Sequence, residues 1–212
     1  MSRRRLIFAT VLVVLAGLVY EGCYRTPAGP RSLRVFDADR LAALEIDMWQ
    51  AYYRKEKVRL FRGLVVSLHE QNRYPWAKAA QVAFRLARAA ATFGDATGDY
   101  ERVLPDLEKA YTIQRDWLHA GFDPKAVAQA ELTWWVARRM PGRNSAEQVG
   151  ALIADENALL YEVPRERVLE AATLRARAGR LRDDGGDHAD WQAVSALLAQ
   201  SYRELHAALN GR

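Results

Sequence analysis

The chain has few of the features that mark a disulfide-rich, fibrous or polytopic membrane protein. Its 212 residues contain a single cysteine, Cys23, which excludes a disulfide within the chain and a metal site built from cysteines. The 13 glycines and 7 prolines exclude collagen-like and low-complexity chains. A mean hydropathy of -0.26 excludes a protein that crosses a membrane many times. The length fits one ordinary domain with an appendage.

The motifs of the common enzyme classes are also missing. No glycine-rich loop follows a strand pattern, so the P-loop and Rossmann nucleotide sites are excluded. There is no Gly-x-Ser-x-Gly nucleophile elbow. His69-Glu70 lacks the second histidine of a zinc-protease helix, because Arg73 stands at that position. We therefore predict no catalytic residues, no metal ligands and no cofactor.

The charge balance is mildly basic but does not favour nucleic acid as a partner. The chain has 31 Lys and Arg against 26 Asp and Glu, a net charge of +5. Three arginines and Glu21 give residues 1–24 a net charge of +2, which leaves +3 for the rest. Acidic and basic residues are interspersed through that remainder, whereas phosphate binding needs basic side chains clustered on one face. The sequence predicts no nucleic-acid partner.

The N-terminal segment joins a cluster of positive charge to an apolar run. Arg3-Arg4-Arg5 precede residues 6–20, none of which is charged. The positive-inside rule keeps the arginines in the cytoplasm and places the chain after Tyr20 outside. The run makes about 22 Å of helix at roughly 1.5 Å per residue, which is short for a membrane span. With the Arg- and Ala-rich composition, it predicts a bacterial inner-membrane protein with one pass and an exported C-terminal domain.

Several fates of this leader remain open. It is an uncleaved anchor if the lack of a small-x-small site after the run prevents cleavage. It is a lipoprotein leader if Cys23, which follows Gly22, is lipidated, although Tyr20 and Glu21 depart from the bacterial lipoprotein signal. It is an ordinary signal peptide if cleavage falls near Ala28. A helix packed in a soluble core is the remaining alternative, which the arginine flank disfavours.

The rest of the chain has the apolar spacing of helices and almost no strand alternation. Apolar residues recur every three or four positions. Asp123-Pro124 predicts a helix start, with a cap before a proline at the first helical position. Ser145 and Gln148 predict a capping box. Residues 183–187, Asp-Asp-Gly-Gly-Asp, predict a solvated turn.

These signals predict an all-α fold in which an N-terminal membrane or signal helix precedes about seven helices, arranged as an irregular bundle or an array of hairpins. We divide the chain into an anchor or signal segment at 1–24, a tether at 25–36 and a single all-helical domain at 37–212. A break near residues 55–57 is left open. An open solenoid is the alternative, although no repeat of fixed period is found.

Three glutamates lie beside the apolar stripes of separate helices: Glu45, Glu131 and Glu156. Ferritin-like metal sites place carboxylates in this way, but they also need Glu-x-x-His motifs, which the chain lacks. The favoured role of the three acids is ion pairing with arginine. The candidate partners are Arg85, Arg138 and Arg175. The alternative is an inward carboxylate cluster that binds a metal or a small molecule.

The aromatic side chains allow either core packing or a groove. Neighbours such as Trp134 and Trp135 diverge by about 100° on a helix, so one ring packs in the core while the other faces a groove or a partner. Core packing is the default. The groove, with apolar walls and a few acids as in ligand sites, consists of Glu45, Trp49, Tyr53, Glu131 and Trp135.

We therefore predict a membrane-anchored, envelope-exposed module without enzymatic activity that binds a protein or peptide partner. The alternative is a helical protein that binds a metal or a small molecule through the inward carboxylates. The sequence leaves the oligomeric state open.

Overall fold

The computed structural model describes the backbone of residues 3–211 and the side chains of residues 12–211. In this part the chain is 80% helical and has no strand, which confirms the all-α class. Two short 3-10 turns lie at Tyr100–Val103 and Gly186–His188. The α-helices of the described residues are α1 (Arg3–Tyr24), α2 (Ala38–Tyr53), α3 (Lys57–Asn72), α4 (Trp76–Asp95), α5 (Leu104–Leu118), α6 (Pro124–Arg139), α7 (Ala146–Tyr161), α8 (Arg165–Gly185) and α9 (Trp191–Asn210).

Local signals set several of the helix ends. The Asp123 side chain accepts a backbone N–H of the first turn of α6, and Pro124 is the first residue of that helix. Ser145 and Gln148 form the predicted capping box of α7. Eight helices follow α1, rather than about seven, because the chain breaks between α2 and α3. Lys55 takes the left-handed conformation there, with φ of 59°.

The prediction of a solvated turn at residues 183–187 is largely wrong. α8 continues through Gly185, and the 3-10 turn begins only at Gly186. Arg138 Nε on α6 donates to Asp183 Oδ2 at 2.8 Å, so this acid is fixed against a neighbouring helix. The Asp- and Gly-rich composition favours a turn, but the contact between helices favours a longer helix and prevails.

The helices of the domain form a closed circuit. Each helix from α2 to α8 packs against the next, and α9 packs against both α8 and α2. An open solenoid lacks such a contact between its ends. The buried apolar side chains form four clusters, each shared by helices that are neighbours in the circuit. A cavity remains between α2, α3, α4, α6 and α8.

The segment predicted as a tether, residues 25–36, is non-helical and lies against the domain. Arg34 Nη2 donates to the backbone oxygen of Tyr161 at 2.8 Å, and Asn210 Nδ2 donates to the backbone oxygen of Arg34 at 2.8 Å. The Phe36 ring meets the Tyr202 ring edge-on, with centroids 6.3 Å apart. These contacts fasten the segment to the C-terminal ends of α7 and α9.

The predicted membrane segment, residues 6–20, falls within α1, which packs against α4. Residues 1–2 and the side chains of residues 3–11, including the three arginines, lie outside the described part. From residue 12 to residue 20 every side chain is exposed, so this part of α1 does not pack in the core. Among the described residues, none of the helices combines the length and hydropathy of a membrane span. The structure therefore gives the predicted anchor no support.

Candidate functional site

The five residues predicted to form a groove all line one cavity. Its volume is about 700 Å³, within the range of roughly 300–1,000 Å³ that ligand sites occupy. Two helices supply the five residues. Glu45, Trp49 and Tyr53 come from α2, and Glu131 and Trp135 come from α6. α3 and α4 complete the apolar wall, and α8 completes the charged one.

The helical spacing explains why these residues share the cavity. On α2, Glu45, Trp49 and Tyr53 stand four residues apart, so each lies one turn beyond the last. Glu131 and Trp135 have the same spacing on α6. Because α2 and α6 lie in different parts of the circuit, their two stripes meet only across the cavity.

Glu45 is the best-bonded of the three predicted acids and is only 6% exposed. It forms an ion pair with Arg175 of α8, one of the predicted partners. Trp49 Nε1 donates to Glu45 Oε1 at 3.0 Å, and the Tyr202 hydroxyl of α9 donates to Glu45 Oε2. Both carboxylate oxygens of Glu45 are therefore engaged.

Glu131 and Glu156 meet at a tyrosine rather than at an arginine. The Tyr111 hydroxyl of α5 lies 2.8 Å from Glu131 Oε2 and 3.2 Å from Glu156 Oε1. Trp134 Nε1 donates to Glu156 Oε2 at 2.5 Å. We call Glu45, Glu131, Glu156, Tyr111 and Arg175 the acid cluster.

The surroundings of Glu131 and Glu156 raise the pKa of both carboxyl groups. Burial, with the charge of Glu156 as the second cause, raises the pKa of Glu131 to about 8. Burial also raises the pKa of Glu156. For Tyr111, burial and the two neighbouring carboxylates raise the pKa well above its ordinary value. Arg175 acts in the opposite direction on both glutamates, because its positive charge favours their ionised forms.

The other two predicted arginine partners pair elsewhere, which corrects part of the ion-pair prediction. Arg85 of α4 donates to Asp106 of α5 at 3.1 Å, so it faces the neighbouring helix rather than the cavity acids. Arg138 pairs with Asp183 at 2.8 Å. Only Glu45 among the three predicted acids has an arginine within ion-pair distance in the described structure.

The acid cluster is occupied by hydrogen bonds rather than arranged for a metal ion. In the part of the chain that the structure describes, no group of three or more His, Cys, Asp or Glu side chains could hold a metal. Both oxygens of Glu45 and both oxygens of Glu156 already have protein partners. The inward carboxylates of the alternative prediction do converge, but their hydrogen bonds do not favour a metal.

The adjacent tryptophans diverge as predicted, but both of them line the cavity. The ring centroids of Trp134 and Trp135 lie 6.1 Å apart with an interplanar angle of 79°. Trp135 packs against Phe93, with centroids 5.0 Å apart, whereas Trp134 reaches Glu156. Both side chains are half-buried, so neither of them is purely a core residue.

One end of the cavity is fixed by Arg138. Besides its pair with Asp183, Arg138 Nη2 lies 2.8 Å from the Tyr53 hydroxyl and donates to the backbone oxygen of Gly179 at 3.2 Å. Arg182 lies over the Tyr53 ring, with Cζ 3.3 Å from the centroid. Burial raises the pKa of Tyr53 to about 12, so this hydroxyl is neutral at ordinary pH. These contacts hold the ring of Tyr53 in one orientation.

Sequence reasoning missed Tyr111, Tyr202 and Asp183 as site residues. Tyr111 lies on the apolar stripe of α5, a position typical of a core residue, and its ring does pack in the core. The hydroxyl of a buried tyrosine usually forms a hydrogen bond, and this rule could have identified Tyr111 as a partner of the buried glutamates. Asp183 was hidden by the turn-like composition around it. The lipidation candidate Cys23 is half-buried on α1 and does not line the cavity.

The fold and the site define an all-α domain whose helices form a closed circuit around a charged and aromatic cavity that opens to solvent. No family model, curated protein or solved structure matches the chain.

Proposed function

We propose that the protein is a binding module without enzymatic activity that takes an apolar group of a peptide or protein partner into its cavity. The observation that carries the proposal is the convergence of Glu45, Trp49, Tyr53, Glu131 and Trp135 on one cavity. Aromatic walls supply contact area, and a few polar groups fix orientation.

The rigid setting of the polar groups supports recognition. Glu45 is held by three side chains, and Arg138 is held by Asp183 and by a backbone oxygen. Side chains fixed by such bonds lose little freedom when a ligand arrives, which lowers the entropic cost of binding.

Peptide selection tests the proposal. A phage-displayed library of random peptides is selected on the full-length protein in lipid nanodiscs, and the enriched peptides are measured against single variants. We expect Trp49→Ala and Trp135→Ala to weaken binding about tenfold or more. Trp76→Ala is the matched control, because its side chain is 41% exposed and lies outside the cavity. Equal affinity for all three variants would remove the cavity as the binding site.

The second candidate for the ligand of the cavity is a small organic molecule. The cavity volume of about 700 Å³ favours it, because it lies within the range of small-molecule sites. Native mass spectrometry of the protein purified from its own host distinguishes a small organic ligand from a peptide or protein partner. A bound small molecule that is lost in Trp135→Ala would support this candidate. An empty cavity together with selected peptides would support the first.

We also propose that residues 6–20 anchor the module to the bacterial inner membrane, with the domain on the exported side. The exposed apolar side chains of α1, such as Val13 and Leu18, and the arginine flank support this placement. A reporter that is active only in the periplasm, fused after the last residue, should be active, and an inactive reporter would contradict it. Incorporation of labelled palmitate that Cys23→Ser abolishes would identify a lipoprotein.

A further inference from the structure

We propose that the cavity binds an organic ammonium ion and that Glu131 is the carboxyl group that receives it. As the ligand enters, Glu131 releases its proton to the solvent and pairs with the ammonium group as a carboxylate. One proton leaves for each ligand bound, and no covalent bond changes in the ligand. The proposal rests on the proposed function, since it names the ligand class of the same cavity.

The pairing of the wall carboxyls points to Glu131. Three of the four acids that line the cavity have an arginine partner. The pairs are Glu45 with Arg175, Asp183 with Arg138, and Asp184 with Arg180. Glu131 is the fourth, and in the described structure no arginine, lysine or histidine lies within ion-pair distance of it. A cation in the ligand would supply this missing partner.

The arginines of the wall are less available to an anion. Arg138, Arg175 and Arg180 are held by the carboxylates just named. Among the described residues Arg139 forms no ion pair, but its side chain is exposed and its Nη1 donates to the backbone oxygens of Phe93 at 2.8 Å and Ala96 at 3.2 Å. An anionic ligand at Arg138, Arg175 or Arg180 would have to compete with the carboxylate partner of that arginine, whereas an ammonium ion at Glu131 competes only with the proton of Glu131.

The geometry at Tyr111 explains why Glu131 carries that proton. Its hydroxyl has one hydrogen but faces carboxyl oxygens of both Glu131 and Glu156. With both carboxyls ionised, one of these contacts would join two oxygens without a hydrogen between them. Trp134 also donates to Glu156, so the negative charge is better held there and the proton is better held by Glu131. Burial acts in the same direction on the pKa of Glu131.

The charges of the groups that face Glu131 favour the binding of one cation. Tyr111 of α5, Glu156 of α7 and Arg175 of α8 face Glu131, and Glu45 of α2 is the ion-pair partner of Arg175. Arg175 balances Glu45, so in the described structure no further cation is left to balance Glu131 when it ionises. Glu131 Oε2 is the oxygen that meets Tyr111, and no hydrogen bond of the described residues involves Oε1. Trp135, one turn further on α6, offers a ring for a cation–π contact.

Three probes of similar shape test the ligand class: 2-phenylethylammonium, 2-phenylethanol and 3-phenylpropanoate. Calorimetric titration of the full-length protein in nanodiscs, in two buffers of different ionisation enthalpy at pH 7, gives affinity and proton release together. We expect the ammonium probe to bind at least about tenfold more tightly than the other two, with release of nearly one proton. Glu131→Gln should remove both effects, and Glu147→Gln, an exposed glutamate of α7, should remove neither.

The outcomes separate this proposal from the proposed function. Equal or tighter binding of the alcohol or the carboxylate, or ammonium binding without proton release, overturns the ammonium proposal. If none of the three probes binds while selected peptides still require Trp49 and Trp135, this proposal fails and the proposed function stands. If the ammonium probe does bind as expected, Nα-acetyl-lysine methylamide is compared with its norleucine analogue. Tighter binding of the lysine compound shows that a lysine side chain can supply the ammonium group, and equal binding of the two points to a small amine.

Discussion

Arg175 of α8 forms an ion pair with Glu45 of α2. The two residues lie far apart in sequence, and they meet because α9 packs against both α8 and α2. The charge of Arg175 also favours the ionised forms of Glu131 and Glu156. One guanidinium group therefore acts on all three carboxyls of the acid cluster.

Removing Arg175 should destabilise the fold. Arg175→Met leaves the buried Glu45 without its cation, and we expect a loss of about 3 kcal/mol in the free energy of unfolding. The double variant Glu45→Gln/Arg175→Met should recover part of that loss, because no buried charge is left unpaired. Urea unfolding followed by circular dichroism measures both. Arg177→Met on the exposed face of α8 is the control, and an equal loss in the two single variants would contradict the role of the pair.

Stability should fall as the pH rises from about 4.5 to about 8. Folding raises the pKa of Glu131 from 4.5 to about 8, so the folded state holds a proton that the unfolded state has lost within this window. The contribution is complete below pH 4.5 and disappears as the pH passes the folded pKa, and it amounts to a few kcal/mol. Glu156 acts in the same direction.

Urea unfolding at a series of pH values checks this dependence. Glu131→Gln should make the free energy of unfolding fall less steeply with rising pH, because the amide does not titrate. Glu147→Gln, whose side chain is 71% exposed, should keep the decline of the parent protein. An unchanged slope in Glu131→Gln would show that the carboxyl does not hold a proton in the folded state.

Gly150 should be intolerant of a side chain. A Cβ atom at this position of α7 would lie 2.8 Å from Thr173 Cα, a backbone atom of α8, so alanine would push the two helices apart. We expect Gly150→Ala to cost about 2 kcal/mol despite the better helix propensity of alanine. Gly98→Ala is the control, since no atom of the described residues lies within 4 Å of its Cβ position. Thermal unfolding compares the two, and equal melting temperatures would contradict the close approach.

Local sequence signals were sufficient for the helix class and for several helix starts. Asp123-Pro124 and Ser145 with Gln148 depend only on neighbouring residues, and the structure confirms both. The turn predicted at residues 183–187 failed because Arg138, distant in sequence, holds Asp183 on the helix. The local amino-acid composition does not predict a contact between residues so distant in sequence.

The sequence predicted the types of residue that form the candidate site, but it did not predict which of their side chains pair with each other. The apolar stripes indicated that Glu45, Glu131 and Glu156 face inward, and the structure brings them together. The stripe gives no distance between helices, so it could not decide which acid meets Arg175. Tyr111 joins the site because α5 packs against α6, the helix that carries Glu131, and the sequence does not give that contact.

The most direct test of the cavity as the binding site uses the six tryptophans of the chain as reporters. Trp49, Trp134 and Trp135 line the cavity, while Trp76, Trp117 and Trp191 lie elsewhere. In the ¹⁵N-tryptophan-labelled full-length protein, each indole N–H gives one resonance, which a tryptophan-to-phenylalanine variant assigns. On titration with a selected peptide or with 2-phenylethylammonium, we predict saturable shifts of the Trp49 and Trp135 resonances and no shift of Trp76 or Trp117. Shifts confined to Trp76 and Trp117, with Trp49 and Trp135 unmoved at saturation, would contradict the assignment of the cavity.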